Sequence, residues 1–146
     1  MPSKTHLRII TPEKIFLDED VDMVIMRTTS GDIGVLPGHT LLTTTLSYGV
    51  IIITNDDKER RASLFGGFSK IDNDSVTILT EAAEWPSEID SKRASDAIKR
   101  AEDRLKKREG IDIIRAEVAL RKANIRLELS SYKLDEAGNF VKMDQV

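Results

Sequence analysis

Residues 88–94 read EIDSKRA and residues 110–116 read GIDIIRA, the same Ile-Asp-x-x-Arg-Ala written twice at an offset of 22. Asp is a preferred N-cap residue, because its carboxylate accepts the unpaired backbone N–H groups of a first helical turn. Both copies therefore read as helix starts. Behind the first, Ala94, Ala97, Ile98, Ala101 and Leu105 follow the i, i+3, i+4, i+7 spacing of one helical face. Behind the second come Ala116, Ala119, Leu120, Ala123 and Leu127. Between them Lys106-Lys107-Arg108-Glu109-Gly110 supplies the basic last turn and the glycine of a helix C-terminus. Two helices joined this closely form an antiparallel hairpin.

Ahead of the hairpin the periodicity changes. HLRIIT, VDMVIMRTT, GVIIIT, RRASLFGGF and SVTIL are short β-rich runs, separated by TPEK, SGD, LPGH, NDDKE and DNDS. These separators have turn chemistry, and strands at this spacing predict an all-β sandwich or barrel. Asn55–Asp57 and Asp72–Asp74 read as hairpin loops, and Gly66-Gly67 as a bulge or a close backbone approach. Trp85-Pro86-Ser87 reads as the linker, since proline disfavours helix at the residue before it. The expected organisation is α+β: an N-terminal all-β sandwich or barrel at 1–86, a two-helix hairpin at 87–133, and a polar, frayed tail at 134–146.

Charge is divided along the same boundary. Residues 1–90 carry 8 Lys/Arg against 15 Asp/Glu, whereas residues 91–133 carry 13 against 7. At about 100° per residue, Arg93, Arg100 and Arg104 fall within about 40° of one another, as do Arg115, Lys122 and Arg126. Six cations bordering two alanine stripes repel one another unless an anion or an acidic surface lies between them. EIDSKRA thus has two readings, a helix cap and part of a nucleotide site.

Composition removes other classes. The 146 residues include no cysteine, so disulfides and thiolate metal sites are excluded. There is no apolar run long enough to span a bilayer, and MPSKTHLRII lacks a signal-peptide core. The acidic sandwich and the 5% aromatic content weigh against nucleic acid as a partner. His6 and His39 have no evident catalytic or metal-binding companions and read as structural or interfacial.

Taken together, SGDIGVLPGH at 30–39, the Gly66-Gly67 pair in FGGF and the repeated I-D-x-x-R-A resemble the ε subunits of bacterial F-type ATP synthases. The likeness runs from about His6 to Tyr132. It implies a β-sandwich followed by two helices, in a non-catalytic subunit of the central stalk. Implied partners are the γ subunit, the c-ring and, when the hairpin extends, the α and β subunits of the catalytic head. Extension would inhibit ATP hydrolysis, and a regulatory ATP would favour the folded form. No cofactor is required. The membrane would be reached only through the complex, on the cytoplasmic side of the bacterial plasma membrane.

The same resemblance assigns residues. Its ATP motif falls on Glu84, Ile89, Asp90, Arg93, Ala94 and Arg100, with Lys122 and Arg126 from the second helix. Lys122 stands where relatives tend to carry arginine, and a lysine cannot make the planar bidentate grip on phosphate. Asp32 and His39 take the loop positions implied to face the c-ring and γ. Lys106, Lys107 and Arg108 are implied to meet acidic residues of the β subunits. SGDIGVLPGH has no G-K-[ST] and is not a phosphate-binding loop for hydrolysis.

Overall fold

The computed structural model describes residues 4–107, 113–134 and 140–142. Two five-stranded sheets pack face to face as a sandwich. The first has the order β2-β1-β9-β8-β5, built from Ile15–Val21, Thr5–Ile10, Ser75–Leu79, Phe68–Ile71 and Leu42–Thr45. The second has the order β10-β7-β6-β3-β4, built from Ala83–Glu84, Lys58–Phe65, Tyr48–Asn55, Met23–Thr28 and Gly31–Val35. All pairings are antiparallel except β1 with β9.

Period-two alternation decides which side chains meet between the sheets. Leu7 and Ile9 of β1 and Val76 and Ile78 of β9 face Val24 and Met26 of β3 and Ile51 and Ile53 of β6, all fully buried. The two expected hairpin loops are present. Asp56 and Asp57 carry φ of 52° and 63° between β6 and β7, the left-handed pair that a two-residue turn of matching twist requires. A bulge at Ile9/Ile10 lets Phe16 turn inward and stack on Trp85 with ring centroids 4.6 Å apart.

RRASLFGGF is not one strand. β7 ends at Phe65 and β8 begins at Phe68 in the other sheet, with Gly66 and Gly67 at φ of 77° and 101° between them. A Cβ on Gly67 would lie 1.9 Å from the Leu79 carbonyl oxygen, so the chain crosses between sheets where no side chain fits.

After β10 a short 3₁₀ turn, Pro86–Glu88, leads to α1 at Ser91–Lys107 and α2 at Ile113–Ser130. The Asp90 carboxylate accepts the Arg93 backbone N–H at 3.1 Å, so the capping reading of EIDSKRA holds. The expectations placed on Arg108, on Gly110 as a helix end and on Asp112 as the second cap lie outside the described residues. The helices pack on each other through buried Ala94, Ala101, Ala116 and Ala123. Ala119 and Leu127, expected on the same stripe, are instead exposed, because α2 turns Ile125 and Leu129 toward the sandwich. The expected frayed tail is also different in part. Tyr132–Leu134 (β11) and Phe140–Lys142 (β12) pair antiparallel.

On the outer face of the first sheet, His6 lies between Asp18 and Asp20, with its Nδ1 2.7 Å from Asp20 and its Nε2 on Asp18. Hydrogen bonds to Asp20 and then Asp18 raise the His6 pKa above 6.5. A raised folded-state pKa stabilises fully below the unfolded value and is lost as pH rises through the folded one. Thermal unfolding of the protein and of His6→Asn should therefore differ at pH 5.5 and converge by pH 8.5. For Gly67→Ala, the carbonyl clash and the left-handed backbone should cost at least about 2 kcal/mol in urea unfolding.

Candidate functional site

The second sheet has an outer face that α2 covers. Phe65, at the end of β7, is 1% exposed and packs with Val50, Ile125 and Leu129. Tyr48 meets its ring edge-on at 5.8 Å. Three cations of α2 close over these aromatic rings. The Arg121 guanidinium sits 4.8 Å above Tyr48, Arg126 lies 5.0 Å from the Phe65 ring, and Lys122 lies about 6 Å from both rings. Two of them also find carboxylates on the sandwich side: Lys122 reaches Glu81 at 3.4 Å and Arg126 Nε donates to Glu84 at 2.7 Å.

Beside this contact, a cavity of about 390 Å³ opens between the end of the sandwich and the two helices. Its polar lining consists of Glu84, Glu88 and Asp90 together with Arg93, Arg100 and Arg126. Ile89 and the small Ala94, Ala97 and Ala123 complete the wall, and the alanines leave the space that larger side chains would fill. Arg93 and Arg100 are exposed and make no ion pair among the described residues. Seven residues apart on α1, they are two helical turns or about 10 Å distant along the axis. The cavity thus presents free guanidinium groups to an anion and carboxylates to hydrogen-bond donors.

Seven of the eight residues assigned to the nucleotide motif come together here: Glu84, Ile89, Asp90, Arg93, Ala94, Arg100 and Arg126. Lys122 does not line the cavity and is committed to Glu81 and the aromatic pair. Glu88, Ala97 and Ala123 also line it. The alanine repeat contained a signal for the last two, whereas Glu88 carried none beyond its place beside the motif. Arg126 enters the cavity already paired, which removes part of its charge from a ligand.

Other assigned residues lie elsewhere. Asp32 is exposed on β4 and its carboxylate is 3.6 Å from Arg27 Nε. His39 follows in the loop after β4 and donates from Nδ1 to the Thr40 carbonyl at 2.6 Å. Lys106 and Lys107 are exposed in the last turn of α1. A further surface was not anticipated. Ile15, Ile10, Leu79 and Phe68 are successive cross-strand partners on the outer face of the first sheet. Ile15 is 59%, Leu79 40% and Phe68 51% exposed, so an apolar band crosses a face that none of the described residues covers.

A family model described as the β-sandwich domain of the ATP synthase delta/epsilon chain matches residues 4–86, and one for its long α-helix domain matches residues 87–131. The chain belongs to the ATP synthase δ/ε family, among the bacterial F-type ε subunits. The ATP synthase epsilon chain of Alkaliphilus metalliredigens is 49% identical over 134 residues, covering 91% of this chain and 100% of the relative. That of Bacillus velezensis is 44% identical over 125 residues, covering 85% and 95%. Among solved structures, a chain of the Euglena gracilis mitochondrial ATP synthase superposes with a TM-score of 0.78 at 26% identity, covering 88% of this chain and 81% of that one. No helix among the described residues of this ε subunit is long and apolar enough to cross a membrane.

The docked hairpin depends on Phe65. Phe65→Ala should cost about 3–5 kcal/mol. In amide exchange the loss of protection should fall on α2, with the inner strands β1, β3, β6 and β9 spared.

Proposed function

We propose that this ε subunit is a non-catalytic coupling and regulatory part of the central stalk, with a hairpin held in its folded position by a nucleotide. The observation that carries the regulatory reading is the cavity itself. Its lining is shared between the sandwich side (Glu84), the linker (Glu88 and Ile89) and both helices, so it exists only while the hairpin is folded back. A ligand that binds one conformation alone shifts the equilibrium toward it by RT ln(1 + [L]/Kd). ATP fits the lining by chemistry, with phosphates on Arg93 and Arg100 and ribose or base donors on the carboxylates. Asp90 serves both purposes, since one carboxylate oxygen caps α1 and the other remains for a ligand.

The two sandwich surfaces have separate partners in this reading. The apolar band Ile15–Ile10–Leu79–Phe68 suits the γ subunit, a permanent companion in the stalk whose docking would remove it from water. The chain superposed from the Euglena complex comes from an assembly of catalytic head and c-ring, which supports a stalk position. Asp32, beside the β3–β4 turn, suits the polar loops of the c-ring, while His39, in the loop held against the β8–β9 turn toward the other end of the sandwich, suits a separate polar contact in the stalk. Released from the sandwich, the hairpin would extend along γ and inhibit hydrolysis, with Lys106 and Lys107 meeting acidic residues of the β subunits. The subunit would be peripheral to the bacterial plasma membrane, on its cytoplasmic side.

Calorimetric titration with ATP and ADP tests the nucleotide reading. Saturable binding that prefers ATP is expected, weakened by about tenfold or more in Arg93→Ala, the usual effect of removing a charge-assisted hydrogen bond. Lys122→Ala, which removes no group lining the cavity, should weaken binding much less than Arg93→Ala. No binding up to millimolar ATP would reduce EIDSKRA to its capping role.

A further inference from the structure

Gly49 is buried in β6, yet its backbone is not among those in the left-handed region that favours glycine. Conformation therefore does not explain the residue, and space does. A Cβ at Gly49 would stand 2.8 Å from Arg27 Cδ, 2.9 Å from its Cβ and 3.0 Å from its Nε. The whole Arg27 stem lies flat across this bare stretch of backbone.

The surrounding register makes the slot. Ile25 pairs with Ile52, but Thr28 bridges Leu46, so extra residues of the β6 side are accommodated between these points. The Ser47 N–H donates to the Arg27 carbonyl at 3.0 Å, which fixes the irregular segment against β3. Arg27 is also the direct cross-strand partner of Asp32, and its Nε is the charged group nearest to that carboxylate, at 3.6 Å. Asp32 makes no other ion pair among the described residues.

We propose that Arg27, seated in the slot left by Gly49, is a positioning residue for Asp32 at the ring-facing end of the sandwich. This rests on the reading of Asp32 as a c-ring contact. A carboxylate on an exposed edge strand otherwise samples several rotamers, and each must be given up when a partner binds. A guanidinium whose own stem is confined limits that sampling before contact. The stem matters as much as the charge, because a free arginine would follow Asp32 wherever it moved.

The test uses the assembled ATP synthase complex carrying this subunit in membranes, and reads the rate at which the catalytic head detaches from the ring in low-salt washes. Asp32→Asn examines the contact itself and should speed detachment. Arg27→Met, which keeps the stem and removes the charge, should speed it about two- to fivefold, the range of a partly exposed ion pair. Gly49→Ala, which expels the stem and removes no charged group, should do the same. In the Asp32→Asn background neither change should add anything, an outcome that mere loosening of the sheet would not produce. Parental detachment in Arg27→Met and Gly49→Ala, with Asp32→Asn fast, would leave the ring contact standing and overturn the positioning role. Parental detachment in Asp32→Asn would overturn the ring contact, and the proposal with it. Should Gly49→Ala unfold, the Arg27→Met pair of measurements decides.

Discussion

The docking of α2 on Phe65 is the contact on which the folded helical half of this molecule depends. The inter-sheet core would form without it, since Leu7, Val24, Ile53 and Ile78 face one another inside the sandwich. Phe65 belongs to a separate cluster on the outside of the second sheet, and it is buried because Ile125 and Leu129 cover it. Burying an aromatic ring and two aliphatic side chains contributes several kcal/mol by area alone. The cations of Arg121, Lys122 and Arg126 add attraction to the ring faces and, for two of them, to carboxylates of the sandwich side. The cavity beside them is a by-product of that docking. Its walls come together because α2 is held against the sheet.

That arrangement divides labour among the basic residues of the hairpin. Arg93 and Arg100 make no ion pair among the described residues and line the cavity, while Arg121 and Lys122 serve the contact with the sheet. Arg126 takes part in both. In a helix pair carrying an excess of positive charge, this separation lets the hairpin dock while two cations stay available at the cavity for the proposed ligand. In the proposed switch only the differential between folded and extended forms counts, and the cavity would supply it because its lining would be dispersed when the hairpin left.

Much of this was legible in the chain. Period-two runs and turn residues marked the sandwich, and the 22-residue repeat marked both helices and the cap at Asp90. Tertiary geometry decided the rest. RRASLFGGF carries one continuous strand pattern, and local sequence does not reveal that Gly66-Gly67 moves it to the opposite sheet. The repeat places Lys122 and Arg100 at equivalent positions, yet α2 alone packs on the sandwich, so the two cations meet different surroundings. The same asymmetry explains why Leu127 is exposed although its counterpart Leu105 is half-buried. The apolar band was invisible because Ile10, Ile15, Phe68 and Leu79 come from four separate strands and align only through the register.

The alanine interface between α1 and α2 has a mechanical consequence. Four methyl groups, on Ala94, Ala101, Ala116 and Ala123, line the buried seam, and each removes little apolar surface from water compared with a leucine. The helices can therefore approach closely while adhering weakly. Parting them uncovers four small buried side chains, whereas lifting α2 off the sheet uncovers Phe65, Ile125 and Leu129. In the proposed extended form both contacts are given up, and the two rods straighten into one long lever. In that reading the hairpin is a clasp whose catch is on the sandwich.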